Sequence, residues 1–258
     1  MPIPKVIHYC WFGGNEKDAL SLKCINSWRL FCPDYEIIEW NESNYDIEKN
    51  TYMSQAYSAK RWGFVSDYAR LDIVYEYGGF YFDTDVELIR SLDTLLNEAG
   101  FIGFEQNDSK NAAWKINTGQ GFGAEKNDPV IKFLRAEYDA ICFIDDNEKV
   151  NLTTCPEYNS AALKKLGVKM DNSMQIVGKI RVFPADYFCP MNWKTKQCTV
   201  TENTYSIHHF NGSWVSADEK RKRKIMRKID PIIHLPNRIG KTVLGEKKYN
   251  CLKNRLRK

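Results

Sequence analysis

Carboxylates recur at every second position in one stretch of the chain, Gly78 to Glu87, which contains Asp83, Asp85 and Glu87. Because side chains along a strand alternate between its two faces, these three carboxylates would share one face if the stretch forms a strand. Carboxylates held close together repel one another, and a bound divalent cation removes that repulsion. Oxygen ligands of this kind suit Mg²⁺ or Mn²⁺. The stretch therefore predicts a strand that ends at a metal site.

The same pattern also occurs on solvated strand edges where the acids do nothing, and Asp-x-Asp by itself is a common sequence. The residues before the motif, Tyr75–Phe82, are rich in tyrosine and phenylalanine, which favours burial of this strand. A buried carboxylate needs a partner. Burial therefore favours the metal site over the solvated edge.

A helix is predicted over Phe64–Tyr77, where large apolar residues recur at helical spacing. Ser66 is expected to cap its first turn. Asp67 and Arg70 are three positions apart, so they lie on one face of this helix. As a surface ion pair they would contribute about 0.5 kcal/mol or less. In a ligand site the carboxylate would accept hydrogen bonds from sugar hydroxyls and the guanidinium would donate to hydroxyl or phosphate oxygens. The spacing leaves both interpretations open.

The chain opens with a predicted buried strand over residues 3–12, a Gly-Gly turn, a helix over about 17–31 and a second strand over 35–40. This order is typical of a nucleotide-binding α/β domain, although the dinucleotide fingerprint Gly-x-Gly-x-x-Gly is absent. Trp11 comes at the carboxyl end of the first strand, where open α/β sheets bind their ligands. Its ring could stack on a base, which contributes about 1–3 kcal/mol, or it could belong to the core.

Two later stretches can also approach a ligand. A short strand over 101–105 places Glu105 near the metal strand, and residues 116–125 contain three glycines among polar residues that include Asn117. Glycines allow the backbone to approach a ligand closely, although an ordinary hairpin loop has the same composition. The helix predicted over 130–143 is expected to be structural.

A strand that runs into a glycine turn is predicted over Tyr205–Trp214. Alternation sends His208 and His209 to opposite faces, so at most one of them faces the predicted metal. A single histidine is more often a core or surface residue than a ligand. The Ser213 hydroxyl and the Trp214 indole N–H are donors that could close on a phosphate.

At 258 residues the chain is long enough for one large core or two small ones. Its N-terminus lacks the charged and then apolar pattern of a signal peptide, and no stretch approaches the roughly 20 apolar residues of a membrane span. We therefore expect a cytoplasmic protein. The eight cysteines contain no Cys-x-x-Cys pair, so buried free thiols are expected rather than a zinc site or a disulfide framework.

The net charge of +4 conceals an uneven distribution. Residues 220–258 contain 15 Lys and Arg against two acidic residues, whereas the rest of the chain contains 22 basic and 31 acidic residues. Apolar residues are interleaved with the basic ones in this tail, which suits an anionic membrane surface where each Lys or Arg contributes about 1 kcal/mol. A solvated basic helix without a partner and a nucleic-acid-binding segment stay open as alternatives.

Four separated segments together resemble glycosyltransferase family 32, the group whose sugar-binding region contains a DXD motif. The segments are Ile3–His8 with Trp11–Gly14, Ser66–Arg70, Asp83–Asp85 after Gly78 and Gly79, and His209–Trp214. Their order and spacing carry the resemblance, which spans residues 1–215. It implies a GT-A fold, a single α/β domain whose mixed sheet binds a nucleotide-sugar together with Mn²⁺ or Mg²⁺. Residues 216–258 are left as a basic amphipathic C-terminal segment.

The resemblance also implies roles for individual residues. The residues expected to bind the nucleotide-sugar are His8, Trp11, Asp67, Arg70, Asp83, Ser213 and Trp214. The expected metal ligands are Asp83, Asp85 and His209. The residues expected to act at the reaction centre are Asp83, Asp85 and Arg70. Glu105, Glu125 or Asn117 is expected to stabilise the cationic sugar, although no family motif assigns Asn117 or Glu125.

The implied activity is transfer of a hexose from a nucleoside diphosphate sugar, with UDP-galactose or UDP-glucose as the expected donor, to a hydroxyl of a glycan acceptor. The expected transfer retains the anomeric configuration and serves capsule or O-antigen synthesis on a lipid-linked acceptor at the inner face of the plasma membrane. No nucleic-acid partner is expected.

Two other functions remain as alternatives. A phosphatase of the haloacid dehalogenase type has a first motif that Phe82–Val86 also fits, although that motif normally follows the first strand. A basic membrane-binding or nucleic-acid-binding protein without catalysis is the second alternative.

Overall fold

The computed structural model of the protein describes residues 2–105, 114–212 and Gly245. Two short 3₁₀ turns, Ile47–Lys49 and Asp93–Asn97, accompany the regular elements. In chain order the strands and helices are β1 (Val6–Cys10), α1 (Ala19–Phe31), β2 (Glu36–Trp40), α2 (Thr51–Ser58), α3 (Trp62–Tyr77), β3 (Gly79–Tyr81), β4 (Val86–Leu88), β5 (Gly100–Glu105), β6 (Lys115–Ile116), β7 (Phe122–Ala124), α4 (Pro129–Ala136), α5 (Cys155–Lys165), β8 (Gln175–Val177), β9 (Ile180–Phe183), α6 (Ala185–Phe188) and β10 (Ser206–His208).

The strands form one mixed sheet in the order β2-β1-β3-β7-β5-β9-β8, with β6 paired to β5. Strand β1 is parallel to β2 and β3, whereas β7 runs antiparallel between β3 and β5. Strands β4 and β10 form a separate antiparallel pair. The predicted α/β class with a mixed sheet is confirmed.

Alternation along the strands sends apolar side chains to both faces of the main sheet. On one face, Ile7 of β1 and Phe80 of β3 belong to a buried cluster that includes Trp28 of α1. On the other face, Cys10 and Tyr81 belong to a second cluster that contains residues of α2 and α3. The carboxyl ends of β1 and β3 therefore emerge between two packed layers, and the residues that follow them are held by both.

The DXD motif does not lie within a single strand. Strand β3 ends at Tyr81, and the chain then turns through Asp83–Asp85 before it enters β4. The Val86 amide donates to the Asp83 carbonyl at 3.0 Å, which closes this turn. The prediction of one strand that carries three carboxylates on one face is therefore wrong, because the turn moves β4, with Glu87, from the main sheet to the small one.

Helix α3 is confirmed, but it begins at Trp62 instead of Phe64. Ser66 is therefore inside the helix, where its hydroxyl donates to the Trp62 carbonyl, and its predicted capping role is wrong. All eleven residues from Phe64 to Val74 are buried, charged ones included. This burial decides against a surface ion pair between Asp67 and Arg70.

The other predicted elements are confirmed with shifted ends. The first helix begins at Ala19, and Asp18 caps it by accepting a 2.7 Å hydrogen bond from the Ser21 amide. The helix predicted over 130–143 is the shorter α4, with Asp128 as its cap. Trp11 follows β1 directly, as expected.

The seven described cysteines are all free and five of them are buried, as predicted, while Cys251 lies outside the described residues. Within the described ranges no helix is long and apolar enough to cross a membrane. Residues 213–244 and 246–258 lie outside the described residues, so the division of the chain into 1–215 and 216–258 stays a prediction.

Candidate active site

A buried guanidinium joins helix α3 to the turn after β3. The Nη2 atom of Arg70 lies 3.0 Å from Oδ1 of Asp67 and 3.2 Å from Oδ1 of Asp83. Arg70 is only 3% exposed, and its guanidinium lies 5.3 Å from the centre of the Tyr81 ring. Asp67 and Asp83, which belong to separate sequence motifs, therefore both contact the guanidinium of Arg70.

Asp83 is held by side chain and backbone together. Its Oδ1 accepts a 3.0 Å hydrogen bond from the Tyr81 hydroxyl, and its amide donates to the Gly119 carbonyl at 3.0 Å. Burial and the neighbouring Asp85 carboxylate raise the pKa of Asp83, and Arg70 opposes that rise. Burial likewise raises the pKa of Asp67 to about 7 against the opposing effect of Arg70. Arg70 therefore favours the ionised form of two carboxyl groups whose burial favours the protonated form.

Asp85 is held by the small sheet rather than by α3. Its Oδ1 lies 3.3 Å from Nε2 of His208, and its Oδ2 accepts a 2.7 Å hydrogen bond from the Asn211 amide. Burial opposes ionisation of this carboxyl, but His208 and the Asn211 amide outweigh burial and lower the pKa of Asp85 to about 2. In return, Asp85 raises the pKa of His208 despite the burial of the ring. Asp85 is therefore an ionised carboxylate in the folded protein.

The two adjacent histidines contact different carboxylates, as alternation predicts. Nε2 of His209 lies 2.8 Å from Oε2 of Glu87, which also accepts a hydrogen bond from Lys23. His208, for which no role was predicted, is the imidazole that contacts Asp85. The geometry thus turns His209 toward β4, and its role as a metal ligand stays a prediction.

Glu105, the last residue of β5, contacts Asn117 on the loop that borders Asp83. The Asn117 amide group donates to Oε2 of Glu105 at 2.7 Å, and its Oδ1 accepts from the Gly119 amide at 2.7 Å. A Cβ atom at position 119 would collide with Oδ2 of Asp83, so a larger residue there would have to displace that carboxylate. The backbone thus closely approaches a side chain of the protein itself, and the approach to a ligand that the glycine-rich stretch predicted stays a prediction.

His8 is a core residue in this structure. It is 1% exposed, its Nδ1 accepts a 3.1 Å hydrogen bond from the Trp40 indole, and its Nε2 donates to the Gly78 carbonyl at 2.9 Å. Burial lowers the pKa of His8 to about 4, so the ring is neutral. Both ring nitrogens are thus used within the protein, and the role of His8 in binding a nucleotide-sugar stays a prediction.

Trp11 is partly exposed at the end of β1. Its indole N–H donates to the Asn15 carbonyl at 2.6 Å, and Nζ of Lys17 lies 5.3 Å from the ring centre. Stacking on a base stays a prediction for this residue. Ser213 and Trp214 lie outside the described residues, so their contacts with a diphosphate stay predictions too.

The structure adds a support behind Arg70 that sequence reasoning missed. Sγ of Cys155, the first residue of α5, lies 3.4 Å from Nη1 of Arg70 and 3.1 Å from the Thr118 hydroxyl. Asn159, one turn further along α5, donates to the same thiol and hydroxyl. Burial raises the pKa of Cys155 to about 12, so this group is a neutral thiol. No local motif signals these contacts, because they join segments far apart in the chain.

The comparisons with known proteins point to the same residues. Residues 19–102 match the family model of the glycosyltransferase sugar-binding region containing a DXD motif, a range that includes Asp67, Arg70, Asp83 and Asp85. This match covers about a third of the chain. The chain is 32% identical over 111 residues to inositol phosphoceramide mannosyltransferase 1 and 30% identical over 116 residues to inositol phosphoceramide mannosyltransferase 3, both of Schizosaccharomyces pombe. Each match covers 39% of this chain and 33% or 29% of the relative, so the chain spans about a third of these relatives.

Solved glycosyltransferases are similar to the chain at low identity. The PaToxG glycosyltransferase is 22% identical, with a TM-score of 0.49 over 64% of this chain and 70% of that chain. The galactosyltransferase LgtC, solved with donor and acceptor sugar analogues, is 10% identical, with a TM-score of 0.39 over 86% of this chain and 95% of that chain. The predicted α/β fold with one large mixed sheet is confirmed, and its GT-A type stays a prediction.

The DXD carboxylates have the chemistry that Mg²⁺ or Mn²⁺ requires. Mg²⁺ in particular is usually held by one or two carboxylates together with substrate phosphates, rather than by a complete cage of protein ligands. Asp83 and Asp85 supply such oxygen atoms on one turn, with side chains 30% and 15% exposed. Within 2–105 and 114–212 no three metal-ligating side chains come together, so phosphate or water oxygens would have to complete the shell. The residues present fit a metal of this kind.

Replacing Gly119 by alanine tests the position of Asp83. The added methyl group would lie 2.3 Å from Oδ2 of Asp83, and the carboxylate is the end of a flexible side chain, so it should move while the fold is kept. Because moving this carboxylate strains its buried ion pair with Arg70, we expect the free energy of unfolding, measured in urea, to fall by about 1–3 kcal/mol. Turnover of a sugar donor should fall at least about tenfold, because a displacement of about 1 Å at a reaction centre is costly.

Gly167→Ala is the matched control for this substitution. Its methyl group meets nothing within 4 Å, and its φ of +90° makes the cost purely conformational, about 1 kcal/mol. This variant should keep its turnover. Equal turnover in both variants would show that the position of Asp83 does not matter for the reaction.

Proposed function

We propose that the protein is a glycosyltransferase that moves a hexose from a nucleoside diphosphate sugar to a hydroxyl of a glycan acceptor. The observation that carries this proposal is the buried contact of Arg70 with Asp67 and Asp83, next to the ionised Asp85. These four residues all lie in the DXD glycosyltransferase region. Because the chain spans about a third of its curated relatives, the activity of the whole protein is part of the proposal.

The charges of the site suit a donor that leaves as a diphosphate. Asp67 and Asp83 hold the guanidinium of Arg70 in one orientation, so Arg70 is a pre-oriented donor toward developing negative charge. Asp67 also carries a carboxylate that can accept from hydroxyl groups of the transferred sugar. A bound Mn²⁺ or Mg²⁺, held by Asp83 and Asp85, would supply Lewis-acid stabilisation of the leaving diphosphate.

The proposed transfer retains the configuration of the anomeric carbon of the sugar. In a retaining path the departing phosphate can accept the proton of the attacking hydroxyl, so no strong protein base is required. Glu105 and Asn117 hydrogen bond to each other beside the Gly119 loop. We assign this pair to stabilising the positive charge that develops on the sugar.

The phosphatase alternative is less well supported. In that fold the Asp-x-Asp motif normally follows the first strand, whereas here β1 and β2 precede β3 and the motif. The family that residues 19–102 match is a glycosyltransferase family. Both observations favour transfer over phosphate hydrolysis.

UDP-galactose and UDP-glucose are the donors that we propose first. The S. pombe relatives are named as mannosyltransferases that act on inositol phosphoceramide, so a mannose donor belongs in any test panel. Their named acceptor is a lipid, which supports the proposal of a lipid-linked acceptor. Synthesis of capsule or O-antigen is the pathway that we propose for such a product.

The basic segment 216–258 is proposed to hold the enzyme on an anionic membrane, at the cytoplasmic face of the plasma membrane. Its support is the excess of 15 basic over two acidic residues after position 219. Membrane attachment would bring the site to a lipid-linked acceptor.

Replacing Asp85 by asparagine tests the proposed reaction. The substitution keeps the shape of the side chain and an acceptor for the Asn211 amide, but it removes the charge that would hold the metal. Transfer and donor hydrolysis should both fall about a hundredfold or more, since metal stabilisation is worth several kcal/mol. Asp146→Asn, which removes an exposed carboxylate, is the control and should keep full activity. A fully active Asp85→Asn would contradict the proposal.

A thermal-shift panel tests donor and metal together. A ligand at a hundred times its dissociation constant stabilises the folded state by about 3 kcal/mol, which raises Tm by several degrees. We expect UDP-galactose, UDP-glucose or GDP-mannose to raise Tm in the presence of MnCl₂ and to lose that effect in EDTA. No shift with any nucleotide-sugar in the presence of Mn²⁺ would count against the proposed function.

Vesicle flotation tests the basic segment. The full chain should float with vesicles that contain phosphatidylglycerol and stay behind with phosphatidylcholine alone. Replacing the run Lys220–Lys224 by glutamines should weaken flotation at least about tenfold, because each charge contributes about 1 kcal/mol. Exchanging its three lysines for arginines keeps the charge and should keep flotation. Unchanged flotation of the glutamine variant, or salt-sensitive RNA binding in its place, would contradict the proposal.

A further inference from the structure

A short hairpin outside the matched family region contacts the segment that holds Asp85. Met191 and Cys198 form an antiparallel bridge, and within it the Asn192 amide donates to the Gln197 carbonyl at 2.9 Å. We call residues 191–198 the 191–198 hairpin. It carries Lys196, a residue for which sequence reasoning gave no role.

Lys196 reaches out of its hairpin to the residues after β10. Its Nζ donates to the carbonyl oxygen of His209 at 2.6 Å and to that of Phe210 at 3.1 Å. The same ammonium lies 5.4 Å from the centre of the Phe210 ring. The Lys196 ammonium thus contacts two backbone carbonyls and one aromatic ring, all in the consecutive residues His209 and Phe210.

The backbone at both ends of this contact is strained. Phe210 has a φ of 52° and Lys196 a φ of 62°, in the left-handed region that residues with side chains rarely adopt. Such a conformation costs about 1–3 kcal/mol and persists only where surrounding contacts impose it. The Phe210 ring packs on the His208 ring at 4.1 Å, which is a second contact that holds the turn.

The strained turn controls a backbone group that binds the DXD motif. The residue after Phe210 is Asn211, whose amide donates to Oδ2 of Asp85 at 2.7 Å. The Asn211 side chain also donates to Oδ2 of Asp18 at 2.8 Å, at the start of α1. The direction of the Asn211 amide therefore depends on the conformation of Phe210, which Lys196 holds.

We propose that Lys196 is a positioning residue for the DXD motif. Through the carbonyls of His209 and Phe210 it keeps the Asn211 amide on Asp85, and this contact fixes how the Asp85 carboxylate is presented to a divalent cation. The inference deepens the proposed function, on which its metal-binding part rests. It places a determinant of metal affinity in the 191–198 hairpin, outside residues 19–102.

Hydrogen exchange of the full-length protein tests whether Lys196 holds the turn at His209 and Phe210. In Lys196→Met, which keeps an unbranched side chain of similar bulk and loses the ammonium group, the amides in the peptide 206–212 should exchange at least about tenfold faster than in the unchanged protein, because charge-assisted hydrogen bonds are lost. Lys196→Arg retains a cation that can donate to both carbonyls and should restore slow exchange. Lys164→Met on α5 removes an exposed lysine and is the control. Equal exchange in Lys196→Met and the control would overturn the inference whatever the protein catalyses.

Metal binding tests whether Lys196 affects the affinity of the DXD motif for a divalent cation. The Mn²⁺ concentration at half-maximal thermal stabilisation, with UDP or GDP present, should rise about tenfold or more in Lys196→Met, as is usual when a partner of a metal ligand is removed. The Mn²⁺ dependence of turnover should shift with it, while kcat at saturating Mn²⁺ changes less. An unchanged Mn²⁺ requirement together with faster exchange would overturn the link to the metal. No Mn²⁺ effect in the unchanged protein would overturn the proposed function, and the exchange result would still decide the role of Lys196 in the turn.

Discussion

A guanidinium buried between two carboxylates is the interaction on which the rest of the site depends. Arg70 lies 3.0 Å from Asp67 and 3.2 Å from Asp83, and it is almost completely buried. A single unpaired charge in such a place costs several kcal/mol, so each of the three groups is tolerable only because the others are present. This mutual requirement holds α3 against the chain that leaves β3, and it gives the guanidinium one orientation.

The two carboxylates of the DXD motif are held by different parts of the fold. Asp83 is bound from the main sheet side, by Arg70 and by the Tyr81 hydroxyl. Asp85 is bound from the small sheet, by His208 and the Asn211 amide. The turn between them is thus clamped at both ends, which presents two carboxylates at a fixed spacing. A divalent cation that bridges protein and diphosphate needs such a fixed pair, since its affinity depends on the orientation of its ligands.

Much of the local structure follows from sequence pattern. The helical periodicity of α3, the strand β1 with Trp11 at its end, and the glycine-rich loop at Gly119 were all predictable, because each rests on interactions between residues close in the chain. The prediction of one strand through Asp83 and Glu87 failed for the same reason. Alternating acids look like a strand in a short window, whereas the Asp83 amide that opens the turn is bonded to the distant Gly119 carbonyl.

The sequence by itself determined which residue types were available for the chemistry: an acid and an arginine on one face of a helix, a pair of aspartates after an aromatic strand, and two adjacent histidines. Only the tertiary structure decided their partners. In the folded protein His8 lies in the core, where it contacts Trp40. Asp85 contacts His208 rather than His209, and the Cys155 thiol contacts the Arg70 guanidinium. Periodicity constrains the face on which a side chain lies, but the identity of the group opposite depends on how distant elements pack, and no local pattern encodes that.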